Sequence, residues 1–137
     1  EDLGIRVRMV DKRLRKGRGI CGEALPPQAT GHESPDLLLV GWGSTKGAME
    51  EAGAVLRDKG KRVGTLHFSQ VWPLVADLFV PRLEKAGHVV CIESNATAQF
   101  ARLIRRETGF HIGRHILRYD GLPITTEYIL RQLEASE

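Results

Sequence analysis

A chain of 137 residues with 42% hydrophobic content is the size of one compact domain and leaves little length for a second. Apolar stretches such as Leu37 to Val40 are strand-sized, far short of a bilayer-spanning run, so a membrane span is excluded and a soluble protein expected. The net charge of +3 is uneven: residues 1 to 18 carry seven basic side chains (Arg6, Arg8, Lys12, Arg13, Arg15, Lys16, Arg18) against three acids, and the remainder is nearly neutral.

That basic arm has no interleaved aromatic residue and no nucleic-acid module follows it, so no nucleic-acid partner is expected; a solvated helix or an interface segment is the reading instead. The chain opens on Glu1-Asp2 without a basic-then-apolar leader, which reads as an excerpt or processed chain of a cytoplasmic protein. From Arg6 to Lys16, Val7, Val10 and Leu14 fall at helical spacing until Gly17 and Gly19 stop the pattern. Residues 26 to 35 (PPQATGHESP) read as a linker or surface loop.

Short apolar runs then alternate with amphipathic segments, the pattern of a parallel sheet covered by helices on both faces. Asp36 to Val40 is a buried strand, Lys46 to Lys59 a helix with Met49, Ala52, Gly53 and Leu56 inward, and Gly60 its stop. Arg62 to His67 is a strand, followed by a helix over Leu74 to Lys85 that Pro81 kinks or restarts. His88 to Ile92 is a third strand, Thr97 to Thr108 a helix stopped by Gly109, and Ile116 to Tyr119 a fourth strand. Asp120-Gly121 turns the chain into a last helix, Thr126 to Leu133, with Thr125 as its N-cap. The expected fold is a three-layer helix-sheet-helix α/β domain with a mostly parallel sheet.

Cys21 and Cys91 stand seventy positions apart with no CxxC, so neither a zinc knuckle nor an iron-sulfur ligand set is expected, and the five histidines lack metal-ligand spacing. No nucleophile elbow surrounds Ser44, and no catalytic residue is assigned. Gly41-Trp42-Gly43-Ser44-Thr45-Lys46-Gly47 joins a strand to a helix, where free N–H groups could meet an anion. A plain tight turn with Ser44 or Thr45 as cap is the preferred reading, since the GxGxxG and P-loop spacings are absent. Glu93, Asn95 and Gln99 follow the third strand and could line one crevice with Gly43, Ser44 and Thr45, or Asn95 caps the helix while Glu93 pairs with a cation. Trp42 and Trp72 sit on expected loops and, with Arg13 and Lys16, are interface candidates.

Taken in order, Arg6-x-x-Met9-Val10-x-Lys12-Arg13-x-x-Lys16, Asp36-Leu-Leu-Leu-Val-Gly-Trp-Gly-Ser-Thr45, Leu66-His67 with Gln70-Val-Trp-Pro73, Glu93-x-Asn95-x-x-x-Gln99 and Tyr119-Asp-Gly-x-Pro123 resemble the alpha subunit of 2-oxoacid:ferredoxin oxidoreductases, most of all the 2-oxoglutarate branch. The sequence departs from that pattern at Ala98, where the family often has Gly, and at Leu122 and Ile124, where it often reads Arg and Phe. The resemblance implies a fold like the carboxy-terminal domain of transketolase, with residues 1–35 a basic helix and linker from a preceding domain and residues 36–137 the α/β domain. It implies a parent complex using thiamine diphosphate, magnesium, iron-sulfur clusters and coenzyme A to decarboxylate a 2-oxoacid oxidatively, none of them bound by this chain. The implied partners are the chain's own amino-terminal pyrimidine-binding domain, a beta subunit and, through the complex, ferredoxin. The isolated chain is expected to be inactive and, its interface surface bare, able to dimerise. The alternatives are an anion-binding module at Gly41 to Thr45 for a coenzyme A or nucleotide phosphate, and another thiamine enzyme with the same domain.

Overall fold

The run Leu37-Leu38-Leu39-Val40 puts apolar side chains on both faces of a strand, and only a sheet covered on both sides buries them all. The computed structural model, which describes residues 2–135, has that arrangement. Its elements are α1 (Leu3–Gly22), β1 (Gln28–Gly31), β2 (Leu37–Trp42), α2 (Lys46–Asp58), β3 (Val63–Phe68), α3 (Val80–Glu84), β4 (His88–Glu93), α4 (Gln99–Thr108), β5 (Arg114–Leu117) and α5 (Thr126–Glu134).

The strands form one sheet in the order β1-β3-β2-β4-β5, with β1 antiparallel to β3 and the other neighbours parallel. Leu38, Val40, Leu66, Phe68 and Cys91 share one core with Phe79, Leu83 of α3, and Phe100, Ala101 and Ile104 of α4. Leu39, Val63, Val90, Ile92 and Ile116 share the other with Met49, Ala52 and Leu56 of α2 and Ile129 and Leu133 of α5. Each fully buried Leu or Ile is worth about 1.5–3 kcal/mol, so this alternation holds the three layers together.

The chain leaves β2 toward β3 on one side and β4 toward β5 on the other, while β2 and β4 lie side by side with Gly41 opposite Ile92. Connections therefore diverge at the carboxyl ends of these two central strands, the place where open α/β sheets gather their functional loops.

Four expectations need correction. The helix expected to stop at Gly17 continues to Gly22, because a helical glycine costs about 1 kcal/mol without removing a hydrogen bond, and the Pro26-Pro27 pair lies beyond. The expected linker, residues 26–35, contains β1, so the sheet draws an edge strand from ahead of the expected boundary at 35/36. An edge strand needs no apolar alternation, and a Thr30–Thr65 hydroxyl bond of 2.6 Å helps join it to β3. In place of one kinked helix over Leu74 to Lys85 there is a single 3-10 turn at Ala76–Leu78 and then α3, whose first turn holds Pro81, where its missing N–H is harmless. Finally, β5 is Arg114–Leu117 rather than Ile116 to Tyr119.

Gly31 has φ +76°, and a Cβ there would collide with the Val63 carbonyl oxygen across the β1–β3 ladder. Gly60 has φ +80° at the end of α2 with open space around it. Gly60→Ala should cost about 1 kcal/mol through backbone strain alone, whereas Gly31→Ala should cost about 2 kcal/mol or more because the collision adds to the strain. Urea denaturation of the two variants checks the order.

Candidate functional site

Parallel strands put backbone donors of the following helices at their carboxyl ends, and a carboxyl side chain is the natural counterpart of a helix N-terminus. Glu93, last residue of β4, meets that need although it is fully buried. Its Oε2 accepts from Phe100 N (2.8 Å) and Asn95 Nδ2 (2.6 Å). Its Oε1 accepts from Ala101 N (3.0 Å) and from the Cys91 thiol (3.4 Å). Asn95 Oδ1 in turn accepts from Thr97 N (3.0 Å) and Gln99 N (3.3 Å).

Asn95 therefore accepts from the first backbone N–H of α4, close to one of the two sequence readings, although the N-cap position itself is Ala98. The expected cation for Glu93 is replaced by the backbone of α4, since two peptide N–H groups and an amide satisfy a buried carboxylate without bringing in a second charge. The turn between them sets Ala98 at φ +51° and ψ 50°, a conformation glycine takes freely and alanine at about 1 kcal/mol or more. That explains the position where the family pattern often has Gly.

The Gly43–Thr45 turn lies beside this cluster, across the β2–β4 pair. Gly41 must lack a side chain, because a Cβ would sit 2.6 Å from Thr45 Oγ1 and 3.0 Å from Met49 Sδ. Thr45 is buried and its hydroxyl donates to the Trp42 carbonyl (2.9 Å), so it is not the side-chain cap of α2. Gly43 has φ +58°, and its carbonyl accepts from His67 Nε2 (2.9 Å). Ser44 is exposed. The four residues expected to form an anion crevice are thus neighbours, but Thr45 and Asn95 spend their polar groups internally and leave Ser44 as the one exposed hydroxyl.

The interface candidates separate. Trp42 is half-buried as the last residue of β2, its ring 6.2 Å from Phe100, so it is a core-edge residue rather than a loop anchor. Trp72 is 56% exposed. Arg13 and Lys16 are exposed on α1, none of whose residues is buried.

Two residues to which the sequence assigns no role of their own tie these pieces together. Gln70 accepts from Leu25 N (3.0 Å) and donates to the Trp72 carbonyl (3.0 Å), joining the segment after α1 to the tryptophan loop. Arg118 donates to Asp120 (3.0 Å) and to the Pro123 carbonyl (2.7 Å) and lies 4.7 Å over the Tyr128 ring. Its hydrogen bond, with that of Leu122 N–H, holds the Asp120 carboxyl below the usual carboxylate range. The turn leaves Leu122 exposed and buries Ile124 in the α2–α5 core, so the second departure from the family pattern is a core substitution at Ile124 and a surface one at Leu122. Both residues stand inside or beside quoted motifs, which was the available signal.

Cys21 is exposed and Cys91 buried, and no group of three or more His, Cys, Asp and Glu residues among the described residues is placed to hold a metal ion. The described residues do not fit an iron-sulfur cluster or a catalytic metal. No helix is long and apolar enough to cross a membrane among the described residues.

No family model matches the chain. It is 34% identical over 96 residues to the alpha subunit of 2-oxoacid:ferredoxin oxidoreductase 1 of Aeropyrum pernix, a match covering 69% of the chain and 15% of that protein. The chain spans about a fifth or less of the length of such curated relatives. Among solved structures, the alpha chain of a probable 2-oxoacid ferredoxin oxidoreductase from Thermoplasma acidophilum is 30% identical with a TM-score of 0.57, covering 82% of this chain and 97% of that one. The 2-oxoglutarate:ferredoxin oxidoreductase from Magnetococcus marinus, with 2-oxoglutarate, coenzyme A and succinyl-CoA bound, superposes with a TM-score of 0.85 at 24% identity over 98% of this chain and 23% of that one. A split-gene transketolase shares the fold at a TM-score of 0.60 and 17% identity, covering 82% of this chain and 42% of that one.

Because all the groups around the Glu93 carboxylate are donors, Glu93→Gln turns an amide NH₂ toward them and should cost about 1–3 kcal/mol in urea denaturation. Burial, and then the charge and hydrogen bond of Glu93, push the Cys91 thiol up. Only the unfolded chain then loses this proton as pH rises past about 8.5, so stability is full below that pH and falls above it, by at most about 1.4 kcal/mol per pH unit. Melting temperatures of wild type and Cys91→Ala across the alkaline range should show a shallower decline in the variant.

Proposed function

The chain belongs to the alpha subunits of the 2-oxoacid:ferredoxin oxidoreductases, and from that premise we propose that it is the carboxy-terminal domain of such a subunit, fixing the geometry of an active site built by its neighbours. The whole complex would convert a 2-oxoacid to its acyl-CoA and pass electrons to ferredoxin. We infer 2-oxoglutarate as the substrate from the motif resemblance, and the Magnetococcus marinus relative holds that acid. Thiamine diphosphate, magnesium and the iron-sulfur clusters are assigned to neighbouring domains and chains in the same cytoplasmic assembly.

One observation carries the reading: Thr45, Glu93 and Asn95, three of the polar side chains at the central carboxyl edge, are bonded to the domain itself, and beside them only the Ser44 hydroxyl of the expected crevice stays exposed. Such an edge is stiff and offers shape rather than a reactive group. The docking surfaces proposed are α1 with Arg13 and Lys16, the Gly41 to Thr45 turn beside Trp42, and the Trp72 loop. They would face the chain's own preceding pyrimidine-binding domain, reached through residues 1–35, and the beta subunit. Bared in the isolated chain, the Gly41 to Thr45 turn and the Trp72 loop would also support a homodimer.

A second reading has one observation in its favour. No side chain caps α2, whose N-terminus follows the exposed Ser44 and the positive-φ Gly43, leaving backbone N–H groups for an anion such as a coenzyme A phosphate.

Isothermal calorimetry separates the two. The scaffold reading expects no heat from thiamine diphosphate with magnesium, and a dissociation constant of about 1 μM would refute it. Coenzyme A should bind measurably only under the second reading, and Ser44→Asp should then abolish binding by placing a negative charge at the N-terminus of α2.

A further inference from the structure

A helix surrounded by water gains nothing from an ordered apolar seam, yet α1 has one. Leu3, Val7, Val10, Leu14, Gly17 and Cys21 alternate by four and three residues, the repeat that keeps a single line of side chains facing one partner helix. Leu3 is 70%, Val7 60% and Leu14 56% exposed, and Val10 and Cys21 are exposed as well. At the narrow end of the seam, Gly17 and Cys21 let a neighbouring backbone approach.

The positions beside the seam are Arg6, Arg13 and Ile20 on one side and Gly4, Asp11 and Arg18 on the other. Counting all twenty residues, α1 holds seven basic side chains and one acid, a charge of +6. We propose that α1 is a docking helix for an amphipathic helix of a partner whose flanking positions are acidic.

The seam and the charge choose that occupant together. A second copy of this chain would match the seam but would set +6 against +6, opposing Arg13 with Arg18. Nucleic acid would answer the charge but leave Leu3, Val7, Val10 and Leu14 in water. A lipid surface needs a broad apolar face, commonly with an aromatic anchor, whereas α1 has no Phe, Trp or Tyr and its seam is bordered directly by arginines. An acidic helix answers both features, burying the seam and pairing its flanks with Arg13 and Arg18.

This rests on α1 being an interface element, as proposed above, and adds the chemistry of the partner. The test uses the chain with a fluorescein-labelled synthetic helix of about three heptads, leucine at the seam positions and glutamate at the flanks. Fluorescence anisotropy should show binding at least about tenfold tighter than for the same peptide with lysine flanks. Leu14→Ser with Val10→Ser should weaken binding about tenfold, and the variant's melting temperature should not move because α1 has no buried residue.

Equal affinity for the two peptides, or an unchanged affinity in the double variant, overturns the proposal. So does tighter binding to phosphatidylserine vesicles, or a dimer in sedimentation that forms through α1 and excludes the acidic peptide. If the acidic peptide fails while thiamine diphosphate also fails to bind, the partner chemistry is wrong and the scaffold reading stands. Binding of thiamine diphosphate would instead remove the scaffold reading, whatever the peptides do.

Discussion

The buried carboxylate of Glu93 sets the terms for the rest of the domain. A carboxylate taken out of water costs several kcal/mol unless donors replace its hydration, and here the Phe100 and Ala101 amides, the Asn95 side chain and the Cys91 thiol do so. The first two belong to the first turn of α4, whose positive end adds to the attraction. The interaction is therefore a clamp between β4 and α4, at the strand next to β2 where the connections diverge. With α4 fixed, Phe100 stands 4.9 Å from Phe68 and 6.2 Å from Trp42, so the ends of β3 and β2 are fixed as well.

A domain organised this way binds Glu93, Asn95 and Thr45 internally at the place where α/β folds usually present chemistry. Thr45 and Asn95 serve the turn and the helix next to them, and Glu93 faces inward. What remains outward is of a different kind: a long basic helix with an unburied seam, a tryptophan loop fastened by Gln70 to the segment after that helix, and a turn locked by Arg118. Both fastenings hold irregular backbone in place by bonding a side chain to it. This suits a subunit part whose contribution is position, because a docking surface is useful to a distant active site only if it does not yield.

Much of this was legible in the residues. The two faces of Leu37 to Val40, the inward stripe of α2 and the cap at Thr125, which accepts from Tyr128 N at 3.2 Å, follow from periodicity and capping chemistry and stand as expected. Less legible were features decided by tertiary contacts. Gln-Ala-Thr-Gly becomes β1 because β3 offers a free edge, and nothing in its polar composition announces that. Trp42 is drawn into the core edge by Phe100, a residue 58 positions away in sequence. Thr45 could have capped α2 on local grounds, but the nearby Trp42 carbonyl claims its hydroxyl. The motif around Glu93 was recognisable as a pattern long before its reason was, since a carboxylate serving a helix N-terminus cannot be told from one serving a ligand until the helix is placed.

The central claim is that bond-making groups come from neighbours and this chain holds their arrangement. The most direct measurement is turnover: the purified chain, supplied with 2-oxoglutarate, coenzyme A, thiamine diphosphate and magnesium, with a viologen dye as electron acceptor. The account predicts no dye reduction above the protein-free background. Reduction that scales with chain concentration and requires the 2-oxoacid would contradict it.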